Sequence, residues 1–232
     1  MNTKETQFQQ SITQLRTRLL VMCASVGIAL DEACAALADG NLGRAVAVVD
    51  GDGAINGLET EIDEMALTLL VRNQPVAQDL RFVVAALRMV SELERIGDEA
   101  ASIAERTLIL NAPLPEPVMK SVTPLMELAV SLYKKATEAF RDGEPEKAWQ
   151  LCRSEDESTQ MEVRALQGVM DYFCLNNNDG RSGQAYVGMH GILICRALNR
   201  VCHRAANIAE QTYFIVRGEN IKHAPGPQAC RS

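Results

Sequence analysis

Several things are missing from this 232-residue chain, and each absence removes a class of protein. No uncharged run reaches the roughly 20 apolar residues that a membrane-spanning helix needs. The longest are residues 19–30 and 182–195, the second counting His190 as neutral. The N-terminus, MNTKETQFQQSITQLRTR, has no apolar segment of the kind that marks a signal peptide, so a cytoplasmic protein is expected. The seven cysteines are odd in number and never spaced as CxxC, which fits reduced thiols better than a disulfide framework. A basic surplus is also missing: 23 Lys and Arg stand against 30 Asp and Glu, a net charge of −7. That balance weighs against a nucleic-acid binder that grips phosphates. Aromatic residues are only 4% of the chain, and stretches that alternate apolar and polar residues are few.

What is present is ordinary for a folded domain: 47% hydrophobic and 23% charged residues, with a mean hydropathy of −0.06. Most of the chain repeats apolar residues at i, i+3, i+4 and i+7, the period of an amphipathic helix, so the expected fold is all-α. Six helical segments follow from the stop signals, over about 3–38, 42–71, 76–110, 118–141, 145–175 and 184–217. Asp39-Gly40 ends the first, and Asn73-Gln74-Pro75 ends the second because a residue before proline resists helical geometry. Residues 111–117, NAPLPEP, hold three prolines and cannot continue a helix. They are the natural boundary between two halves, 1–112 and 113–232. Residues 176–183, NNNDGRSG, read as a loop, and the stretch after Gly218 reads as a poorly ordered tail.

The halves are related. LERIGDEAASIAE (93–105) and LNRVCHRAANIAE (198–210) share Leu, Arg, both Ala, Ile, Ala and Glu at a constant offset of 105. The preceding helices align at an offset of 103, Gly40 against Gly143. Two tandem related three-helix bundles are therefore expected.

Glu94 and Asp98 lie four apart on one face of the third helix, with Glu105 seven further on. On the second helix Asp52, Asn56, Glu59 and Asp63 follow 4-3-4 spacing. Both lines run one residue out of phase with the apolar stripe. Like charges at i, i+4 oppose helix formation mildly, so two such lines at a helix boundary call for counter-charge. Arg72, Arg81, Arg88, Arg95 and Arg106 could supply it, or metal ions could, since carboxylates on facing helices hold iron or manganese in some bundles. On spacing alone a solvated acidic face and a metal site both stand. The Glu-x-x-His pairs of di-iron bundles are absent, as are a phosphate-binding Gly-rich loop and any arrangement that nominates a catalytic nucleophile. Cys195 and Cys202, with His203 beside them, suit small buried hydrophobes better than a zinc site, because four convergent ligands are not visible.

QPVAQDLR (74–81), followed by LERIGD (93–98) and Ile103-Ala-Glu105, resembles the PhoU family. ALNRVCHRAANIAE (197–210) resembles the same motif in that family's C-terminal repeat. The resemblance runs from about Phe8 to Glu219. It implies a cytoplasmic accessory regulator that keeps the phosphate-starvation response off, an adaptor and not an enzyme. Its implied partners are the phosphate ABC transporter ATPase and a PhoR-type sensor histidine kinase. The implied protein is a homodimer that meets the membrane only through those partners. Family members bind iron clusters or zinc through E/DxxxD motifs. Here that motif falls on Asp52, Asn56, Glu94 and Asp98 in the first repeat. In the second, Asn199 stands opposite Glu94 and His203 opposite Asp98, leaving Glu155 and His203 as remnants of a weaker site. A metal-storage or metal-sensing protein and a paralogue serving another phosphate transporter remain alternatives.

Overall fold

Left-handed residues and capping side chains set the helix ends. Asn41 Oδ1 accepts the amide of Arg44 at 3.1 Å and starts the second helix. Gly40, Asn111 and Gly143 adopt positive φ at the turns that end the first, third and fourth. The computed structural model describes residues 3–152, 155–175 and 181–221. Among them the order is α1 (Thr3–Asp39), α2 (Leu42–Asn73), α3 (Ala77–Leu110), α4 (Glu116–Asp142), α5 (Pro145–Leu151), α6 (Glu155–Leu175) and α7 (Arg181–Arg217), with no strand.

Two expectations change, besides α4 opening with Glu116-Pro117 inside the stretch expected to break the helix, where a first turn tolerates proline. The fifth segment, expected as one helix over 145–175, is the pair α5 and α6. The Cys152 amide and thiol both return to the Ala148 carbonyl, at 3.3 and 3.2 Å, where α5 ends. Ser154-Glu155-Asp156-Glu157 has the S-x-x-E form of a helix start, which a period count across the whole segment passes over. The other change is at α7, which begins at Arg181 and takes in residues expected to be loop. A first helical turn needs no intrahelical partners for its amides, so polar residues and glycine enter it at little cost. Residues 176–180 of that loop and 222–232 of the tail lie outside the described residues.

α1, α2 and α3 pack on one another, as do α4, α5, α6 and α7. The two units meet through α3 on α7 and α1 on α4. Both crossings are antiparallel. Along α3, Arg81 lies against Gly218, Glu92 pairs with Arg204 and Glu99 with Arg200. Along α1, Arg16 donates to the carbonyls of Phe140 and Arg141, and the Tyr133 hydroxyl donates to the Cys23 carbonyl at 2.6 Å. First helix meets first and third meets third, the arrangement of two copies about a two-fold axis.

Most of the apolar residues shared by the two copies are core residues. Leu93 and Leu198, Ile96 and Val201, Ala100 and Ala205, Ile103 and Ile208, and Ala104 and Ala209 are all buried. Buried Thr107 and Thr212 complete the pattern, each donating its hydroxyl to the carbonyl four residues back, at 3.1 Å. α1 contains a window between Thr6 and Asp39, mean hydropathy 1.8, that is apolar enough to cross a membrane by length and composition. Counting only uncharged runs misses it, because the window tolerates a charged residue. Its line Leu15, Leu19, Met22, Val26, Leu30, Ala33 and Leu37 is buried within the bundle.

The α1–α2 turn is locked to the linker between the halves. Gly40 has φ +63°, and a Cβ there would lie 3.0 Å from the Pro113 ring. Gly40→Ala therefore combines left-handed strain with a steric clash and is expected to cost about 1–3 kcal/mol. Urea denaturation should show a lower midpoint with an unchanged slope.

Candidate functional site

The acidic lines of α2 and α3 flank a close approach of the two helices. Gly97 makes that approach possible: a Cβ there would lie 3.2 Å from Ile55 on α2. Beside this contact Asp52, Glu59, Asp63 and Glu94 are half-buried, while Asn56 and Asp98 are exposed. Asn56 Nδ2 donates to Asp52 Oδ2 at 3.1 Å, and Asp52 Oδ1 is shielded from solvent without a hydrogen-bond partner.

Crowding shows in the titration of these groups. Glu94 is pushed up to about 7, first by burial, then by the charges of Asp98 and Glu59 and by a hydrogen bond shared with Asp98. Asp98 is raised by desolvation and by Asp52, and Glu59 by burial, Asp63 and Asp98. Asp63 is raised by burial. Arg95 opposes the rise at Glu94 and Glu59, and Arg204 opposes it at Asp98. One counter-charge thus comes from α7 of the other unit, not from the five arginines of α2 and α3 that the sequence offers.

As donors these side chains are hard carboxylate oxygens, with the chemistry to hold a cation. Among the described residues, however, no three His, Cys, Asp or Glu side chains converge on a geometry that could hold a metal ion. A cation would have to draw the carboxylates together. In the second copy the matching line is changed: Asn199 Nδ2 donates to Glu162 Oε2 at 2.7 Å, and His203 is half-buried on α7. Glu155 opens α6, with its side chain outside the described residues.

The seam between the units holds residues that sequence reasoning passed over. Glu99 is only 8% exposed and takes a two-pronged bond from Arg200, Nε to Oε1 at 2.5 Å and Nη2 to Oε2 at 2.6 Å. Glu92 pairs with Arg204 at 3.3 Å. The available signal was charge reversal in the aligned copies, where Glu99 stands opposite Arg204. His190, on α7 and 2% exposed, has no hydrogen-bond partner at either ring nitrogen and meets the Tyr186 ring edge-on at 4.6 Å. Burial, then the nearby Arg106 charge, hold its pKa below the ordinary 6.5.

Known proteins resemble this chain along nearly its whole length. The model of the PhoU domain matches twice, at residues 19–107 and 122–212. The "Phosphate-specific transport system accessory protein PhoU" of Serratia marcescens is 28% identical over 220 residues, 95% of this chain and 88% of that protein. The PhoU homolog of Pseudomonas aeruginosa is 30% identical over 94% of this chain and 88% of its own. The crystal structure of PhoU from Pseudomonas aeruginosa superposes with a TM-score of 0.85 at 28% identity, covering 91% of this chain and all of that one (100%). A PhoU from Streptococcus pneumoniae, at 24% identity and a TM-score of 0.79, shares the fold.

Two outcomes test this geometry. Arg200→Ala strands the buried Glu99 carboxylate and is expected to cost about 1–3 kcal/mol, part of which the second change Glu99→Leu restores. Chemical denaturation of both variants measures it. His190 follows from linkage: its folded pKa lies below 6.5, so the unfolded chain takes up a proton that the folded one refuses. The part of the stability that depends on His190 is full above about pH 6.5 and falls as the pH drops through that value. His190→Leu should flatten this acid-side slope in a series of melts from pH 8 to pH 5.

Proposed function

Because the chain belongs to the PhoU family, we propose that it is an accessory regulator of phosphate uptake and of phosphate-starvation signalling, working as an adaptor. In this reading it stands on the cytoplasmic side between the phosphate ABC transporter ATPase and a sensor histidine kinase. It reaches the membrane through those partners and carries out no chemistry of its own. The observation that carries the reading is the near full-length similarity to proteins named as phosphate-transport accessory proteins, with both PhoU domains present. A rigid pair of helical bundles with no nominated nucleophile suits an adaptor. A homodimer belongs to the same reading.

Deleting the gene in its host tests it. Alkaline phosphatase, or another phosphate-starvation reporter, should become active in phosphate-rich medium, and the wild-type gene should restore repression. A reporter that stays repressed without the gene would overturn the reading.

A second element concerns cations. Asp52, Asn56, Glu94 and Asp98 are proposed as the oxygen donors for iron or zinc in the first repeat, with Glu155 and His203 as a lesser site in the second. In support, burial and then the charges of Asp98 and Glu59 raise Glu94 to about 7, and the Asp52 Oδ1 atom has no hydrogen-bond partner. A bound cation relieves both. Glu94→Ala combined with Asp98→Ala should remove the metal held by the first repeat, measured by elemental analysis of protein purified from its host. Unchanged metal content in the double variant would move the donors elsewhere.

A further inference from the structure

The α6–α7 seam of the second unit carries an open cleft of about 280 Å³ lined by apolar side chains and glycine, among them Met170, Phe173, Met189, Ile192 and Leu193. Met170 and Met189 are 44% and 50% exposed. In the first unit position 193 is matched by Arg88, which lies over the Phe214 ring at 5.9 Å and reaches Gln211.

The cleft runs into a basic strip. On α7 residues 189, 193, 196, 200 and 204 follow one another at intervals of three or four, so they form one line, exposed from Met189 to Arg200 and half-buried at Arg204. Met189 and Leu193 therefore pass along the helix into Arg196, Arg200 and Arg204. Across the seam Arg95 and Arg88, on the same edge of α3 as Glu92 and Glu99, extend the positive charge. Arg88, Arg95 and Arg196 are all exposed. Arg200 and Arg204 are paired with Glu99 and Glu92, and Arg95 faces Glu94 and Glu59, so among the described residues Arg196 and Arg88 are the arginines of this edge that no carboxylate pairs with.

A partner that covers this surface must be apolar at one end and acidic at the other. Two antiparallel helices with a cleft between them offer the groove in which an amphipathic helix lies, and methionine linings adapt to varied anchors. From this apolar cleft and the adjoining arginines we infer that the α6–α7 groove docks an amphipathic helix of a partner protein, its apolar side chains in the cleft and its Asp and Glu residues on Arg196 and the strip beyond. The inference rests on the adaptor reading and gives that reading a contact surface.

Photo-crosslinking in the host tests it. Benzoylphenylalanine is placed at position 189 of the full chain, with a control at position 28, an exposed site on α1. The crosslinked peptide is sequenced by mass spectrometry. The expected product from position 189 is an acidic amphipathic segment of another protein. Arg196→Glu should lower its yield at least tenfold while the circular dichroism melt is unchanged, and position 28 should not give it. A synthetic peptide of that segment should bind the wild-type chain, by fluorescence anisotropy, at least tenfold more tightly than the Arg196→Glu chain. If the segment belongs to a protein outside phosphate transport, the groove stands and the adaptor reading falls. If the transporter ATPase copurifies but position 189 links to lipid, to a second copy or to nothing, the groove falls and the adaptor reading stands. Crosslinking that ignores Arg196→Glu also overturns it.

Discussion

The antiparallel packing of α3 on α7 is the constraint on which the rest depends. Each unit can bury one face of its last helix by itself, but α3 and α7 each have a second buried edge. Only the other unit can cover it. The shared Ala100, Ala104, Ala205 and Ala209 keep side chains small at these helices, so their neighbours pack closely. Into this apolar seam the fold admits one two-pronged ion pair, Glu99 with Arg200. Taking a carboxylate out of water is costly, and the pair forms only in one alignment. It therefore fixes how far α3 slides along α7 as much as it holds them together. The α1–α4 contact, with Tyr133 reaching Cys23 beside Gly27, repeats the arrangement on the other side.

Around this common core the two copies have different surfaces. Packing density leaves little freedom at Leu93 and Leu198 or Ile103 and Ile208, and these positions match. Solvent-facing positions carry no such restriction. The first copy keeps carboxylates along the α2–α3 seam. The second has Asn199, tied to Glu162, and His203 where the first has Glu94 and Asp98, and it carries an apolar cleft between α6 and α7.

The acidic face also shows why the two units act as one body electrically. Glu94, held near 7 by burial and its neighbours, gains its relief from Arg95 on its own helix, whereas Asp98 gains it from Arg204 on α7. Arg204 at the same time pairs with Glu92. A shift of α7 would therefore be felt at the carboxylates of the first unit, and a cation bound there would change the field on α7.

Helical period, proline placement and the offset of 105 were enough to read the all-α class and the duplication, and to place a helix break after Leu110, because each is a property of the chain itself. The acidic lines were legible for the same reason: 4-3-4 spacing on a helix puts side chains on one face wherever that helix packs. The break between α5 and α6 was written in Ser154 to Glu157, but a strong apolar period on either side hid it. What tertiary structure alone decided was partnership. Glu99 and Arg200 are 101 residues apart, and Glu92 and Arg204 are 112, so no spacing rule joins them. The same holds for the Gly40–Pro113 contact and for the isolation of His190. Which charge is neutralised, and which polar atom is left without a partner, depends on how α3 and α7 are placed in space, and that placement is set by the whole core at once.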